Sequence, residues 1–280
     1  MMIKNLQDTV TLNNDIQIPG LGLGVFKIPN DETAEIVASS IENGYRLIDT
    51  AQIYGNEVGV GQGIQAGLAK TGLKREDLFI TSKVWNFGMD QATAAESIQT
   101  SLDKLQLDYV DLFLVHWPGH NEYKAAWQAL EEAYAAGKVK AIGVSNFEQH
   151  HLEDLLSFAK VTPVLNQIES HPKLAQDDLR AFNAAHDIKS QAWSPLMQGQ
   201  ILDNEVLQTL ADKYHKTVAQ IVLRWDIQRD VLLVVKSVKP ERMLSNADVF
   251  DFELTDEDMA MIDNLNEDLR VGPNPDEFAG

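Results

Sequence analysis

Eight short runs of apolar and β-branched residues recur along the chain, and this repetition is the feature that most limits its possible folds. They lie at residues 21–24, 46–50, 78–83, 110–116, 139–146, 164–169, 188–193 and 231–236. Stretches with the 3.6-residue periodicity of amphipathic helices separate the first seven, at residues 31–43, 56–70, 89–105, 123–136, 148–159 and 177–185. Strands that are apolar throughout and alternate with helices indicate a parallel sheet buried on both faces.

The number of these units predicts how the sheet closes. Eight strands in a chain of 280 residues match the size and count of a (β/α)8 TIM barrel, and a doubly wound open sheet is the alternative. Residues 9–19 predict an N-terminal β-hairpin suited to lie across the bottom of such a barrel. Four more helical patterns surround the last strand, at residues 204–214, 218–228, 240–247 and 255–265. We therefore predict a single barrel domain over residues 1–280, with a hairpin at the N-terminus and extra helices near the C-terminus.

Composition disfavours several classes of function. The chain carries 42 acidic and 23 basic residues, and its net charge of −19 disfavours binding to nucleic acid or to anionic membranes. It has no cysteine, which excludes disulfides, thiolate metal sites and cysteine nucleophiles, and no apolar run of the ~18 residues that a membrane span requires. We expect a cytoplasmic protein that acts on a small molecule as a monomer, with a weak dimer as the alternative.

Polar or aromatic side chains end seven of the eight predicted strands. They are Asp49, Lys83, His116, Ser145 with Asn146, Gln167, Trp193 with Ser194, and Lys236 with Ser237. The carboxyl ends of barrel strands open on one face, which carries the active site in essentially every characterised barrel enzyme. Any one of these residues alone is explained as well by the capping of a helix or turn. Together they predict a functional site.

Four residues at this face suit acid–base chemistry: Asp49, Tyr54, Lys83 and His116. A phenol has an ordinary pKa near ~10, and a nearby ammonium group lowers it. We expect Lys83 to lower the pKa of Tyr54 in this way and Asp49 to keep Lys83 in place and charged. Such a phenol beside an imidazole suits protonation of a carbonyl oxygen.

Seven motifs, in order along the chain, resemble those of the aldo-keto reductase superfamily: GYRLIDTAQIYGNE, ITSKVW, VHWP, GVSNF, NQIESHP, WSPL and KSVKPERM. The short loop after HWP and the short tail VGPNPDEFAG are similar to the microbial branch that includes 2,5-diketo-D-gluconate reductases. The resemblance implies a barrel that transfers a hydride from NADPH to an aldehyde or ketone. Tyr54 would be the general acid, its acidity adjusted by Asp49 and Lys83, and His116 would orient the carbonyl. No metal is implied.

The same resemblance implies how the nicotinamide end of NADPH is bound. Ser145, Asn146 and Gln167 would hold its carboxamide, and its ring would stack on Trp193. That last position is often tyrosine in the family, so the stacking should persist while a hydroxyl group is lost.

The other end of the cofactor falls on a cluster of cations in an otherwise acidic chain. Lys236, Lys239 and Arg242 lie around Pro240, which favours the first turn of a helix, and a helix amino end beside cations is suited to bind phosphate. By resemblance, six residues bind this end: Ser194 and Leu196 at the pyrophosphate, Lys236, Ser237 and Arg242 at the 2′-phosphate, and Asn246 at the adenine. An arginine at the 2′-phosphate favours NADPH over NADH.

Aromatic residues follow the first, third and fourth predicted strands: Phe26, Trp85 and Trp117. Aromatic residues at such positions more often belong to a core, but the resemblance implies that these three wall an apolar substrate pocket. The longer C-terminal tail of animal members is absent, which implies a more open pocket.

Two other interpretations compete with a barrel reductase. A non-catalytic NADPH-binding barrel, acting as a redox-responsive regulatory or structural subunit, would keep the fold without the activity. An open-sheet dehydrogenase would need a dinucleotide fingerprint after a strand. The pattern Gly-x-Gly-x-x-Ala at residues 61–66 lies inside a helical stretch instead, so we interpret it as a chance match.

Overall fold

The fold is seen in a computed structural model that describes residues 3–85, 87–119 and 123–278. A hairpin of two strands, β1 (Thr9–Thr11) and β2 (Gln17–Pro19), comes first. Eight parallel strands, β3 to β10, follow: Leu21–Gly24, Leu47–Asp49, Phe79–Val84, Leu112–Val115, Ile142–Ser145, Leu165–Glu169, Lys189–Trp193 and Leu232–Lys236. Each pairs with the next, and β10 pairs with β3, which closes the sheet into a barrel. The predicted barrel is confirmed, and the open sheet is excluded.

Helices surround the barrel at the predicted places. In the described part of the chain they are α1 Asn30–Glu42, α2 Glu57–Thr71, α3 Gln91–Leu105, α4 Tyr123–Ala135, α5 Gln149–Phe158, α6 Asp177–Ala185, α7 Glu205–Tyr214, α8 Val218–Gln228, α9 Pro240–Ala247 and α10 Asp256–Asp263. Two of them, α7 and α8, lie between β9 and β10, and α9 and α10 follow β10, as the sequence predicts. None of α1 to α10 combines the length and apolar character needed to span a membrane.

The hairpin closes the amino end of the barrel. Leu12 and Ile18 are buried and belong to one apolar cluster with Leu47, Leu112 and other residues of the barrel strands. The Asn13 amide at the hairpin turn donates hydrogen bonds to the carbonyl oxygens that precede β8 and β9, at 3.0 and 3.2 Å. Because each fully buried leucine or isoleucine contributes about 1.5–3 kcal/mol, this contact is strong enough to fix the hairpin under the strands. The carboxyl end remains as the open face.

The glycines that match the dinucleotide pattern serve helix packing. A Cβ atom at Gly63 of α2 would lie 2.6 Å from Cβ of Val37 in α1, and one at Gly61 would clash with the backbone of Leu105 in α3. These residues therefore allow close approach of three neighbouring helices, which explains them without a bound phosphate.

Candidate active site

Asp49, Tyr54, Lys83 and His116 lie together at the carboxyl end of the barrel. Asp49 ends β4, Lys83 lies near the end of β5, His116 directly follows β6, and Tyr54 lies in a single 3-10 turn, Gln52–Tyr54, after β4. The Lys83 Nζ atom is 2.6 Å from Asp49 Oδ1 and 3.3 Å from Tyr54 Oη. The rings of Tyr54 and His116 contact edge to face, with centroids 5.7 Å apart. The structure thus brings together the four side chains that the sequence singles out.

The loop that carries Tyr54 is shaped by the residues that follow it. Gly55 has a φ of 68°, a left-handed conformation that favours glycine. The Asn56 side chain is buried, donates to the carbonyl oxygen of Val25 at 2.9 Å and accepts from Thr50 Oγ1 at 2.9 Å. Asn56 therefore ties this loop to the loop after β3, which fixes the phenol over Lys83.

Lys83 is fully buried, yet its surroundings favour the charged form. Its ammonium group donates to Asp49 and to the Thr50 carbonyl oxygen at 3.0 Å. Burial by itself lowers the pKa of Lys83, but the charge and hydrogen bonds of Asp49 and Tyr54 outweigh this effect and raise the pKa above its ordinary value. The site therefore contains a fixed positive charge at neutral pH.

The pKa of Tyr54 departs from the expectation drawn from the sequence. Burial raises the pKa of Tyr54 above its ordinary value, and the Lys83 ammonium group lowers it without overcoming burial. The effect of Lys83 has the expected sign, but the expected net direction is wrong. Burial prevails because desolvating a phenolate is more costly than one nearby cation can offset. Tyr54 therefore holds its proton at neutral pH, as a general acid must.

His116 is held in its neutral form. Burial, followed by the charge of Lys83, lowers the pKa of His116 well below its ordinary value. Its Nδ1 atom is buried and has no hydrogen-bond partner among the described residues. A neutral imidazole has one N–H donor and one acceptor nitrogen, so His116 can donate a hydrogen bond to an uncharged oxygen such as that of a carbonyl group.

Gln167 links these four residues to the predicted nicotinamide site. Its Nε2 atom donates to Asp49 Oδ2 and to Gln191 Oε1, both at 2.8 Å, and Ser145 Oγ donates to its backbone oxygen at 2.9 Å. Because both amide hydrogens are used, Gln167 can offer a ligand only its side-chain oxygen. Our interpretation of the sequence missed Gln191, which lies in the middle of β9 rather than at its end.

Asn146 and Trp193 are bonded to each other. The indole Nε1 of Trp193 donates to Asn146 Oδ1 at 2.7 Å, and the Asn146 amide nitrogen donates to the His116 carbonyl oxygen at 3.0 Å and to Ser145 Oγ at 3.1 Å. Asn146 has a φ of 64°, which asparagine tolerates better than most residues. The half-buried indole is thereby held at the mouth of the barrel, where a planar ring can stack on it.

The chain turns sharply after Trp193. Ser194 has a φ of 50°, and its carbonyl oxygen accepts from the Met197 amide at 2.9 Å. Ser194 and Leu196 are half-buried within this turn, at the carboxyl end of β9. They therefore lie on the face where the sequence predicts the cofactor.

The predicted phosphate-binding residues gather where β10 leads into α9. Lys236 ends the strand, Lys239 precedes the helix, Arg242 lies in its first turn, and all three are exposed. Ser237 and Asn246 are buried beside them. Three exposed cations at a helix amino end, in a chain of net charge −19, form a donor set that fits a phosphate group.

The three predicted pocket residues surround the acid–base group. Phe26, half exposed, contacts Tyr54 with ring centroids 4.9 Å apart. Trp85 lies edge-on to His116 at 5.4 Å, and Trp117 stacks near the same imidazole at 6.5 Å. The pocket beside the phenol and the imidazole is therefore aromatic on several sides.

Two further aromatic residues, Phe87 and Phe278, belong to this pocket, and the sequence interpretation missed both. Phe278 lies on Trp117 with centroids 4.4 Å apart and contacts Phe87 at 5.6 Å, and Phe87 contacts Trp85 at 5.0 Å. The short tail thus returns to the barrel and places Phe278 on Trp117 beside the predicted pocket. For Phe278, the only signal in the sequence was its position as a single aromatic residue in a polar tail.

Comparisons of this chain with family models, with known sequences and with solved structures all indicate the same family. The model of a family described as "Aldo/keto reductase family" matches residues 20–267. The chain is 55% identical to glyoxal reductase of Bacillus subtilis (strain 168), covering 99% of both chains. It is 44% identical to methylglyoxal reductase DkgA of Escherichia coli (strain K12), covering 97% of this chain and 98% of the relative. Among solved structures, a Bombyx mori aldo-keto reductase in complex with NADP superimposes with a TM-score of 0.90 at 36% identity, covering 98% of this chain and 97% of the other.

Proposed function

The chain belongs to the aldo/keto reductase family and is therefore an oxidoreductase that acts on carbonyl groups, and we propose that it reduces small aldehydes and ketones, 2-oxoaldehydes above all, with NADPH. The observation that carries this proposal is the contact of one buried ammonium group, that of Lys83, with both Asp49 and Tyr54. The names of the two curated relatives support glyoxal and methylglyoxal as substrates. Phe278, which packs on Trp117 beside the imidazole, favours small substrates.

When bound, NADPH supplies the hydride that the carbonyl carbon receives. Tyr54 donates its proton to the carbonyl oxygen, and the Lys83 ammonium group, 3.3 Å from the phenol, stabilises the negative charge that develops on Tyr54. Asp49 holds that ammonium group in place, and neutral His116 donates a hydrogen bond that orients the carbonyl oxygen. A general acid positioned in this way contributes about 10²–10⁴-fold to the rate.

The cofactor is held at both ends in this proposal. Ser145, Asn146 and the side-chain oxygen of Gln167 bind the carboxamide, and Trp193 supports the nicotinamide ring. The rest of NADPH is bound by Ser194 and Leu196 at the pyrophosphate, Lys236, Ser237 and Arg242 at the 2′-phosphate, and Asn246 at the adenine.

The decisive experiment replaces the phenol. The Tyr54→Phe variant should lose about 10²–10⁴-fold in kcat on methylglyoxal, because the proton donor is gone. Its Kd for NADPH should stay within twofold of the original. Tyr134→Phe removes a hydroxyl group from the half-buried face of α4 and is the matched control, which should keep full activity. Full turnover by Tyr54→Phe would refute the assignment.

Cofactor preference is tested at Arg242. Because hydrogen bonds between charged groups contribute about 1.5–3 kcal/mol, Arg242→Ala should raise the KM for NADPH roughly 10- to 100-fold and leave that for NADH within twofold. Lys104→Ala removes the same charge from the exposed face of α3 and should change neither constant. If Arg242→Ala raised the KM for NADPH and the KM for NADH by the same factor, the proposed contact between Arg242 and the 2′-phosphate would be refuted.

The substrate class is tested by NADPH consumption across glyoxal, methylglyoxal, aromatic aldehydes, keto esters, aldoses and diketogluconates. We expect the highest kcat/KM for the 2-oxoaldehydes. The non-catalytic alternative predicts NADPH binding without consumption on any of these compounds. A single domain, a monomeric state and a cytoplasmic location remain predictions, and light scattering of the purified protein tests the second of them.

A further inference from the structure

The C-terminal segment, residues 266–278, crosses the carboxyl end of the barrel, and we call it the strap. The amides of Glu267 and Leu269 donate to the Lys173 carbonyl oxygen at 3.1 and 3.0 Å. The Arg270 guanidinium group bonds the carboxylate of Glu148 at the start of α5. The strap is therefore fixed at several points before it delivers Phe278 to the pocket.

A further attachment of the strap is the carboxylate of Glu169 at the end of β8. Its side chain is fully buried, and among the described residues no lysine or arginine pairs with it. It accepts instead from the amide of Val271 at 2.7 Å and from that of Gly272 at 3.2 Å, with His171 Nε2 at 3.1 Å. Hydrogen bonds to a charged acceptor are about twice as strong as those between neutral groups, so Glu169 fixes the backbone at Gly272.

Gly272 is in turn pressed against Trp193. A Cβ atom at this position would clash with Cη2 of the indole and lie 3.2 Å from its Cζ3. The φ of Gly272 lies outside the left-handed region, so its backbone conformation accepts alanine. Two neighbours therefore oppose a larger side chain here: the indole of Trp193 and, less closely, Glu169 Oε2, which would lie 3.1 Å from the added Cβ atom. At the other end of the indole, Nε1 is held by Asn146. The Trp193 ring is thus fixed along its whole length, by Asn146 at the pyrrole and by the strap at the benzene edge.

We propose that Gly272, anchored by Glu169, is a positioning residue that sets the plane of the Trp193 ring and thereby the affinity of the enzyme for NADPH. The inference rests on the proposed function in one respect, since it takes Trp193 as the surface on which nicotinamide stacks. Gly272 leaves room for the indole of Trp193, because a Cβ atom in its place would clash with Cη2.

The experiment has a structural arm that is independent of catalysis. Protein labelled with 5-fluorotryptophan should give five resonances, one for each tryptophan, and Trp193→Phe assigns that of Trp193. In the protein without cofactor, Gly272→Ala should shift this resonance. Glu277→Ala, at an exposed position of the strap, should leave it in place. A Trp193 resonance unmoved by Gly272→Ala would overturn the positioning role.

The binding arm measures the Kd for NADPH. Displacing the indole from its preferred rotamer should weaken binding about 2- to 10-fold in Gly272→Ala, with the KM for methylglyoxal within twofold of the original. In a Trp193→Phe background the two indole atoms are absent and only the looser contact with Glu169 Oε2 remains, so Gly272→Ala should then change the Kd by less than twofold. An equal loss in both backgrounds would show that the strap acts on binding by another route, and the inference would fall. If the original enzyme bound no NADPH, the proposed function would fail while a shifted Trp193 resonance would still support the positioning role.

Discussion

Two buried aspartates, one at the mouth of the barrel and one in α8, differ in what surrounds them. Asp49 is bonded on both oxygens, by Lys83 at 2.6 Å and by Gln167 at 2.8 Å. Neither oxygen of Asp226 has a hydrogen-bond partner among the described residues, and the Nη1 atom of Arg229 lies 3.7 Å away. Burial raises the pKa of Asp226 to about 7, against the opposing charges of Arg229 and Arg180. Both carboxyl groups are buried, but Asp49 has a hydrogen-bond partner on each oxygen and Asp226 has none among the described residues.

This contrast shows that a shifted pKa alone does not locate a functional site. Asp226 has a strongly shifted carboxyl pKa, yet it lies in a helix outside the barrel and away from the aromatic pocket. Asp49 enters the proposed mechanism through its partners, because it fixes an ammonium group that contacts a phenol. Perturbed groups cluster at active sites only as a tendency, and here the arrangement of partners distinguishes the two cases.

The largest effect that tests this comparison is expected from Lys83→Met. Without the ammonium group, the charge on Tyr54 is not stabilised, and kcat should fall by about 10²–10⁴-fold. Asp49 is left buried without its cation, which should lower the free energy of unfolding by about 3–5 kcal/mol. Urea denaturation and steady-state kinetics measure the two losses.

The control for Lys83→Met is the double variant with Asp49→Asn. Removing both charges should restore much of the stability but none of the activity, because a neutral amide needs no cation. If the Lys83→Met variant had the same urea midpoint as the unsubstituted protein, the conclusion that buried Asp49 needs the Lys83 charge for stability would be wrong.

Asp226→Asn should have the next largest effect, in the opposite direction. The pKa of Asp226 is about 7 in the folded protein against an ordinary value of 3.8, so folding favours the protonated form. Stability is therefore lost as the pH rises from about 4 to about 7, by up to ~4 kcal/mol for a shift of about three units. Asparagine cannot ionise, so the variant should be more stable than the original at pH 8 and nearly equal to it at pH 4.

Urea midpoints at several pH values between 4 and 8 measure this difference, and kcat at pH 7 should not change. A stabilisation of the same size at every pH would show that Asp226 is not titrating in this range.

A third buried aspartate, Asp111, extends the comparison of Asp49 with Asp226. It has hydrogen-bond partners, as Asp49 does, but it lies at the amino end of the barrel, opposite the candidate active site. It bonds Arg75 Nη2 at 2.7 Å and the Ile80 amide at 2.9 Å. Asp111→Asn should destabilise the protein by about 1.5–3 kcal/mol, since a hydrogen bond between charged groups is lost, and kcat should be unchanged. Replacing aspartate by asparagine is thus expected to destabilise the protein at position 111 and to stabilise it at position 226. Stabilisation by Asp111→Asn, seen as a higher urea midpoint at pH 8, would contradict the role assigned to partners.

The sequence predicts the barrel and its mouth well because both depend on local periodicity. Apolar runs identify the strands, and the carboxyl ends of parallel strands must share one face, so Asp49, Lys83 and His116 are brought together by topology alone. Tyr54 follows as the only phenol in the adjoining loop.

Features that depend on distant parts of the chain could not be predicted in this way. Phe278 reaches the pocket because the strap turns back over the barrel, and no local pattern encodes that return. Gln191 lies inside a strand. The alternation of residues along the strand predicts which face of the sheet it lies on, but it does not predict its hydrogen bond with Gln167. The net pKa direction of Tyr54 and the isolation of Asp226 both depend on the extent of desolvation, which residue spacing does not give.

The smallest effect is expected at an ion pair on the outer surface between α1 and α2. Lys70 Nζ lies 2.8 Å from Glu42 Oε1, close to the 2.6 Å of Lys83 and Asp49, but the two surface side chains are 59% and 40% exposed. Lys70→Met should change the free energy of unfolding by less than about 1 kcal/mol, because water and salt screen the attraction and both side chains lose freedom when they pair. The same substitution at nearly the same ion-pair distance should therefore differ severalfold from Lys83→Met in urea denaturation at pH 7. Equal losses would mean that distance, and not burial with its uncompensated charge, determines the strength of these pairs, and the contrast between Asp49 and Asp226 would lose its physical basis.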